Sequence, residues 1–293
     1  MRSVRFPYAV VGGTFDGMHA GHRRMIEATF LHAENVGIGL TTDALVRGSP
    51  KKGGGVAPFN SRYRRLVAHL ERYYGSKEWQ VVPLNDSNGS ILEPKVQAMT
   101  VSEETFPVAL RANAWRKRHR RLPLSLILVG TLYADDLLPI ASRRIRSGVI
   151  NGEGVRRRPL GIELRGRDSS IQAAGLLEGL AELLPMVRLD PRAKSKELTL
   201  RLTPKASGCT LTVEDEMGGF AQSSVRFSRG TSVKDVMPSL IPQLLHEAFL
   251  PRWLSRERIL PPSVLLSPGP RSASRSLGWD RKVYSPLGVF PFE

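Results

Sequence analysis

The chain has 293 residues, 41% of them hydrophobic, which is long enough for two domains of ordinary size, each with its own core. Its formal net charge of +16 favours binding to polyanions such as nucleic acid, nucleotides or phosphorylated metabolites, without choosing among them. Cys209 is the only cysteine, which excludes an internal disulfide and a cysteine-rich zinc site. No apolar run indicates a membrane span and no leader pattern is evident, so we expect a soluble cytoplasmic protein that does not bind membranes.

Residues 1–153 alternate between short apolar segments and longer segments with helical spacing. The predicted strands are Tyr8–Gly13, Asn35–Thr42, Gln80–Pro83, Val96–Val101 and Leu124–Gly130. The predicted helices are His19–Ala33, Asn60–Tyr74 and Glu104–His119. Strands this apolar, separated by helices, indicate an α/β fold in which right-handed crossovers cover both faces of a parallel sheet. Such sheets bind ligands at the carboxyl ends of their strands.

The pattern changes after Asn151, where the arginine-rich stretch "RRRPLG" reads as a linker. Residues 160–260 predict a small α+β domain whose strands follow one another mainly as hairpins, and no catalytic pattern is evident in it. Its predicted strands are Leu160–Leu164, Glu197–Thr203, Cys209–Asp215 and Ser223–Ser228, and its predicted helices are Ser169–Leu184 and Ser232–Phe249. Residues 261–293 are rich in proline, serine, arginine and glycine, which predicts an irregular C-terminal arm.

The stretch "VVGGTFDGMHAGHRRMI" joins the first predicted strand to the first predicted helix. Gly12 and Gly13 allow a tight turn and a close approach of the backbone to a ligand. The helix that follows begins with free N–H groups and the positive end of its dipole, which favour an anion. His19 and His22 lie three residues apart and therefore on one face of the first turn, while Gly21 leaves room for a bulky group. We expect a donor-rich pocket for phosphate oxygens.

Within this stretch, "GGTFDGMHAGH" resembles the HxGH signature of the nucleotidyltransferase superfamily, whose Rossmann-like domain transfers a nucleotide and releases pyrophosphate. Five further segments, in order, resemble the archaeal and eukaryotic type of phosphopantetheine adenylyltransferase. They are "IGLTTDALV", "KKGGGVAPFNSRYRRL", "VVPLNDSNGSIL", "VSEETFPVALRANAWRKRHRRLPL" and "IASRRIRSGVI". The resemblance covers residues 1–153 and does not extend to the α+β domain.

The resemblance implies a role for each matching residue. His19 and His22 would contact the triphosphate, with His22 donating to the α-phosphoryl oxygens, and Thr14 would bind phosphate at the strand end. Either Lys51 or Lys52 would supply a cationic phosphate clamp. The other residues expected to bind ATP or the acceptor are Gly12, Gly13, Phe15, Asp16, Gly21, Arg62, Ser142, Arg143 and Arg146.

The late motif departs from the family pattern. The sequence has "IASRRIR" where the family has "ISSTRIR", so Ala141 removes one hydroxyl and Arg143 replaces another among the groups that hold the β- and γ-phosphates. Arg143 offers charge in exchange, which would give a different clamp for pyrophosphate.

The implied activity is transfer of the adenylyl group of ATP to 4′-phosphopantetheine, as in coenzyme A biosynthesis. The acceptor phosphate attacks the α-phosphorus in line, so the protein supplies alignment and preorganised donors rather than a nucleophile. Mg²⁺ is expected to arrive with ATP rather than in a protein cage.

Several alternatives stay open at this point. The acceptor could be another small phosphate, such as a flavin, nicotinamide or glycerol phosphate, or the basic chain could be a weakened relative that binds nucleic acid or protein. Nucleic acid is not favoured, because aromatic residues are sparse. Asp16 with the two histidines would form a metal triad, but no further ligand cluster accompanies them and we assign no metal-binding residue. Asp43 would either touch the acceptor or cap a helix.

Overall fold

The computed structural model describes residues 6–48, 55–86, 89–136, 138–166, 177–181, 184, 186–194, 196–205, 208–215, 220–226 and 264–266. The chain divides into two compact units. Unit 1 comprises Met1–Leu132, Ile140–Ser147 and Trp253–Glu293, and unit 2 comprises Tyr133–Pro139 and Gly148–Arg252. Some predictions fall outside the described residues. They concern Lys51 and Lys52, the predicted helix Ser232–Phe249 and most of the predicted helix Ser169–Leu184.

Unit 1 contains strands and helices in alternation. The strands are β1 (Phe6–Gly13), β2 (Ala33–Thr41), β3 (Glu78–Leu84), β4 (Ala98–Ser102) and β5 (Ser125–Val129), together with a late strand, Val264–Leu266. The helices are α1 (Ala20–His32), α2 (Asp43–Arg47), α3 (Phe59–Tyr74), α4 (Phe106–Arg118) and α5 (Ser142–Arg146), with a 3₁₀ turn at Gly89–Leu92. Every strand and helix predicted for residues 1–153 is present, with ends that shift by a few residues, whereas the short α2 and α5 were not predicted.

The six strands of unit 1 form one sheet in the order late strand, β5, β4, β1, β2, β3. All the pairings in this sheet are parallel, which confirms the predicted Rossmann-like α/β fold. Alternate residues of β1 pack on opposite faces of the sheet. Ala9 and Val11 belong to a core that contains Ile26 of α1, while Val10 belongs to a second core that contains Phe106 of α4. Helices therefore cover both faces, as the continuous apolar strands predicted.

The late strand corrects part of the prediction for residues 261–293. Val264–Leu266 is not irregular but pairs in parallel with Leu126–Leu128 of β5. Three consecutive apolar residues suit an edge position beside a buried strand, although prolines and serines on either side of them lower the strand signal. Unit 1 is therefore completed by a segment from the far end of the chain.

Unit 2 has a five-stranded sheet, formed by β6 (Leu160–Gly166), β7 (Leu189–Asp190), β8 (Leu198–Lys205), β9 (Gly208–Asp215) and β10 (Phe220–Arg226). Its order is β10, β9, β8, β6, β7. The last three strands form the expected antiparallel hairpins, while β6 pairs in parallel with both β7 and β8. Residues 177–181 are helical within the predicted Ser169–Leu184. The predicted α+β class is confirmed for the described residues.

A buried ion cluster stabilises unit 2. Arg156, at the start of the predicted linker, donates to the carboxylates of Asp136 and Glu197, and its side chain is almost completely buried. It also donates to the carbonyl oxygen of Pro159 at 2.8 Å. The linker arginine is thus a structural residue of this unit rather than a solvated one. Among the described residues, no helix is long and apolar enough to cross a membrane.

Candidate active site

The turn between β1 and α1 has an unusual backbone conformation. Phe15 and Met18 have positive φ angles of 48° and 42°, and Gly17 has a φ of 77°. Such angles in residues with side chains cost about 1–3 kcal/mol each, and they persist only where the surrounding structure imposes them. The Phe15 ring is buried beneath the turn, and a Cβ on Gly13 would lie 3.3 Å from it. Phe15 and Gly13, both predicted to bind ATP, therefore pack against each other within the turn.

Arg62 fixes this turn through hydrogen bonds to backbone carbonyl oxygens. Its side chain is 0% exposed, and its Nη1 donates to the carbonyl oxygens of Thr14 at 3.0 Å and Thr41 at 2.8 Å. Its Nε donates to the carbonyl oxygen of Ala57 at 2.7 Å, and its Nη2 donates to Asp43 Oδ1 at 2.8 Å. The resemblance implies that Arg62 binds ATP, whereas the structure buries its side chain as a link between the ends of β1 and β2 and the start of α3.

Asp43 caps a helix, which is one of its two predicted roles. Its Oδ2 accepts from the backbone N–H of Phe59, the first residue of α3, at 3.1 Å. That N–H group and then the Arg62 guanidinium lower the pKa of the Asp43 carboxyl. Asp43 therefore stays ionised next to the buried arginine and fixes the start of α3.

Asp16 connects the turn to α5. Its Oδ2 lies 2.7 Å from Arg146 Nη1, its Oδ1 accepts from the N–H of Ala57 at 3.4 Å, and its carbonyl oxygen accepts from Ser142 Oγ at 2.9 Å. Three residues predicted to bind ATP are therefore bound to one another. The Asp16 carboxylate thus forms an ion pair with an arginine, whereas the metal triad considered from the sequence would have it bind a metal ion together with the two histidines. Arg143 also lies in α5, partly exposed.

Both signature histidines lie at the beginning of α1. His19 is the N-cap residue, and its side chain makes no capping hydrogen bond to the first N–H groups of the helix. The imidazole rings of His19 and His22 stack with their centroids 3.7 Å apart and their planes at 26°. A Cβ on Gly21 would lie 3.2 Å from two atoms of the His19 ring. Gly21 thus makes room for the His19 imidazole, where the sequence interpretation expected room for the ligand.

Both imidazoles are neutral near pH 7. Burial, followed by the charge of Arg23, lowers the pKa of His19 to about 4. Burial, the neighbouring His19 and Arg23 lower the pKa of His22 well below its ordinary value. Neither Nδ1 atom has a hydrogen-bond partner among the described residues, which favours the tautomer that carries the proton on Nε2. Each ring can therefore offer one neutral N–H donor to an oxygen.

Arg23 is a supporting residue that the motif did not reveal. Its Nη1 donates to the carbonyl oxygen of Met18 at 2.8 Å, which fixes the last part of the turn. The only sequence signal was its position directly after His22. Its guanidinium also adds, after burial, to the lowering of the pKa of both histidines.

Comparison with known proteins identifies the family of this chain. Residues 10–147 match the cytidylyltransferase-like family. The phosphopantetheine adenylyltransferase of Methanopyrus kandleri is 40% identical over 150 residues, which are 51% of this chain and 94% of that protein. The chain belongs to the phosphopantetheine adenylyltransferase family. The adenylyltransferase of Methanosarcina mazei is 36% identical over 50% of this chain and 96% of its own length.

The match to other adenylyltransferases covers about half of this chain. A bifunctional phosphopantetheine adenylyltransferase/NTP phosphatase of Thermoplasma volcanium is 33% identical over 55% of this chain and 48% of its own length. All the predicted site residues of this adenylyltransferase lie within the matched residues 10–147. That range ends at Ser147, where the middle segment of unit 1 also ends.

Proposed function

We propose that this chain transfers the adenylyl group of ATP to 4′-phosphopantetheine and forms dephospho-coenzyme A and pyrophosphate. An oxygen of the acceptor phosphate forms the new bond to the α-phosphorus. The bond between the α-phosphorus and the oxygen that bridges to the β-phosphorus breaks, and the electron pair leaves with pyrophosphate. The observation that carries this proposal is the stacked pair of neutral imidazoles at the start of α1, where the N-cap side chain leaves the first N–H groups uncapped.

Each signature residue has a role in this reaction. His19 and His22 donate their Nε2–H groups to α-phosphoryl oxygens, on which negative charge increases as the acceptor attacks. Each neutral ring supplies one N–H donor from a fixed position. The free N–H groups of α1 and the hydroxyl of Thr14 add further donors at the same end of the sheet.

The β- and γ-phosphates bind to cationic and hydroxyl groups. Arg146 is held by Asp16 and its side chain is 24% exposed, so a phosphate can approach its guanidinium. Ser142, Arg143 and either Lys51 or Lys52 complete the proposed clamp. Mg²⁺ enters with ATP as part of the substrate, and the proposal places the reaction in the cytoplasm, where ATP is available.

We also propose that residues 1–153 form the adenylyltransferase domain and residues 160–260 a separate domain. The described residues that carry the chemistry all belong to unit 1, which supports this division. The late strand adds a qualification, because the sheet of the first domain then takes one edge strand from residues 261–293.

The test is pyrophosphate release by the purified chain with Mg²⁺, ATP and 4′-phosphopantetheine. The variant His22→Ala should lower kcat by about 10²–10³, the usual effect of losing a preorganised donor. His32→Gln is the matched control, since it changes a histidine at the other end of α1 and should leave kcat unchanged. Full activity of His22→Ala with unchanged thermal stability would refute the mechanism.

Parallel reactions with CTP, and with flavin, nicotinamide and glycerol phosphates, test the substrate assignment. Turnover with one of these compounds at a kcat/KM above that of ATP and 4′-phosphopantetheine would replace the proposed substrates. Steeply salt-dependent binding of RNA or DNA without any turnover would instead favour the nucleic-acid-binding alternative.

A further inference from the structure

A buried carboxylate lies at the carboxyl end of β4 and has no part in the mechanism described above. Glu103 follows the last residue of β4 and is 2% exposed. Its Oε2 accepts a short hydrogen bond from the hydroxyl of Thr131, which follows β5. Its Oε1 is buried and has no hydrogen-bond partner among the described residues. A buried oxygen of this kind costs about 1–3 kcal/mol, so its presence requires an explanation.

Strand register places Glu103 beside the site. Val11 of β1 pairs with Thr100 of β4, and three further residues along each chain lead to Thr14 and Glu103. Glu103 follows β4 at the same end of the sheet at which Thr14, the residue proposed to bind phosphate, follows β1, and neighbouring strands lie about 4.8 Å apart. This is also where the strand order reverses, because β2 and β3 lie on one side of β1 while β4 and β5 lie on the other. Ligands of open parallel sheets bind in the crevice at that point.

The chemistry of Glu103 limits what can bind to it. Burial raises the pKa of its carboxyl, so the group is a weaker acid than an exposed glutamate. An ionised carboxylate repels phosphate oxygens, and its unused oxygen instead suits an N–H or O–H donor on an uncharged part of a ligand. The pantetheine arm has amide N–H and hydroxyl groups of this kind, and the nucleotide has the amino group of its base.

We propose that Oε1 of Glu103 accepts a hydrogen bond from an N–H or O–H group in the uncharged part of one substrate, and so contributes to substrate specificity. This inference rests on the proposed adenylyl transfer. Thr131 is partly exposed and donates to Oε2, and the proposal requires that the bound substrate reach Oε1 beside it.

The decisive variant is Glu103→Leu, which removes both oxygens and keeps an apolar side chain in a buried position. We measure KM and kcat for each substrate at saturating levels of the other, together with calorimetric binding of each substrate analogue alone. KM for one substrate should rise about 10- to 100-fold while kcat changes little, since a hydrogen bond to a charged group is lost. A rise for 4′-phosphopantetheine identifies the arm as the donor, and a rise for ATP identifies the base.

Two further variants separate specificity from structure. Thr131→Val removes the partner of Oε2 and leaves Oε1 in place, so it should change neither KM appreciably. Glu103→Gln keeps an acceptor oxygen and should restore most of the affinity. In the wild type, the KM of the affected substrate should fall as pH rises through the pKa of Glu103, because the ionised form is the stronger acceptor. Glu103→Gln should lack that step, and this comparison decides the matter even where Glu103→Leu does not fold.

The inference is overturned when the wild type is active and Glu103→Leu changes neither KM, or when Thr131→Val and Glu103→Leu have the same effect on both substrates. An identical pH dependence of KM in the wild type and Glu103→Gln would also overturn it. Failure of the wild type to release pyrophosphate would reject the proposed function itself, so the two failures are distinguishable.

Discussion

Mild acid should destabilise this protein through the histidines of its signature. His19 has a pKa of about 4 in the folded protein, against an ordinary value of 6.5. Between these two values the unfolded chain binds a proton that the folded chain excludes. The stability contributed by neutral His19 is therefore complete above pH 6.5 and is lost as the pH falls towards 4. At pH 5, which is about 1.5 pH units below the ordinary pKa of histidine, the loss in the free energy of unfolding is about 2 kcal/mol.

Urea unfolding of the wild type and His19→Gln at pH 7.5 and pH 5 measures this effect. Glutamine does not titrate, so the variant should lose about 2 kcal/mol less than the wild type between the two values. His22 acts in the same direction and remains in both proteins, as do all the carboxyl groups. Because His19 also lowers the pKa of His22, the comparison of the two differences measures the contribution of His19 together with its effect on His22, even where the substitution itself changes stability at pH 7.5.

His32→Gln is the control for replacing a histidine of α1. It lies about 18 Å from the start of the helix, at about 1.5 Å per residue, and should not alter the contribution of His19. Equal losses of stability in the wild type and His19→Gln would refute the reasoning. They would mean that His19 is solvated or protonated in the folded protein, and the argument for neutral donors at the α-phosphate would fail with it.

Other parts of the site give three further predictions. Arg62→Lys should lower the free energy of unfolding by about 3 kcal/mol, measured in urea, because buried carbonyl oxygens lose donors, and kcat should fall with it. Gly21→Ala should lower kcat with little change in Tm, because its Cβ would displace the His19 ring at 3.2 Å; unchanged turnover would contradict this. A chain that ends at residue 153 should keep the signature site but aggregate more readily than the full chain, as measured by light scattering, because it loses Val264–Leu266 and exposes the edge of β5.

The sheet of unit 1 could be predicted because its strands are short, apolar and bounded by helices of ordinary length. Burial on both faces produces that pattern directly, so the sequence contains the evidence for it. The late strand has three apolar residues among prolines and serines, and its place in the sheet depends on β5, which is more than a hundred positions earlier in the chain. No local pattern carries that information.

The sequence names the residues expected at the site, but the contacts among them could not be predicted. The motifs place Asp16, Ser142 and Arg146 at one ligand, whereas the structure shows that Asp16 binds the other two across 126 and 130 residues of sequence. The contacts of Arg62 could not be predicted either. An arginine in such a motif is expected to face the ligand, whereas the Arg62 side chain is buried. Glu103 is harder still, since its significance depends on an oxygen without a partner, which only a structure can show.

These contacts change how the positive charge of the protein should be understood. A net charge of +16 attracts nucleotides from solution, but an attraction of that kind is equally strong for substrate and transition state. Arg62 and Arg146 are each paired with an aspartate, and the proposed histidine donors follow a turn with three residues of positive φ. A paired arginine has less net charge to offer but a fixed position. Paired arginines therefore attract the bound substrate less strongly, but their donors need not reorganise as charge shifts between the phosphates. In the proposed mechanism, fixed donors of this kind lower the barrier to in-line transfer.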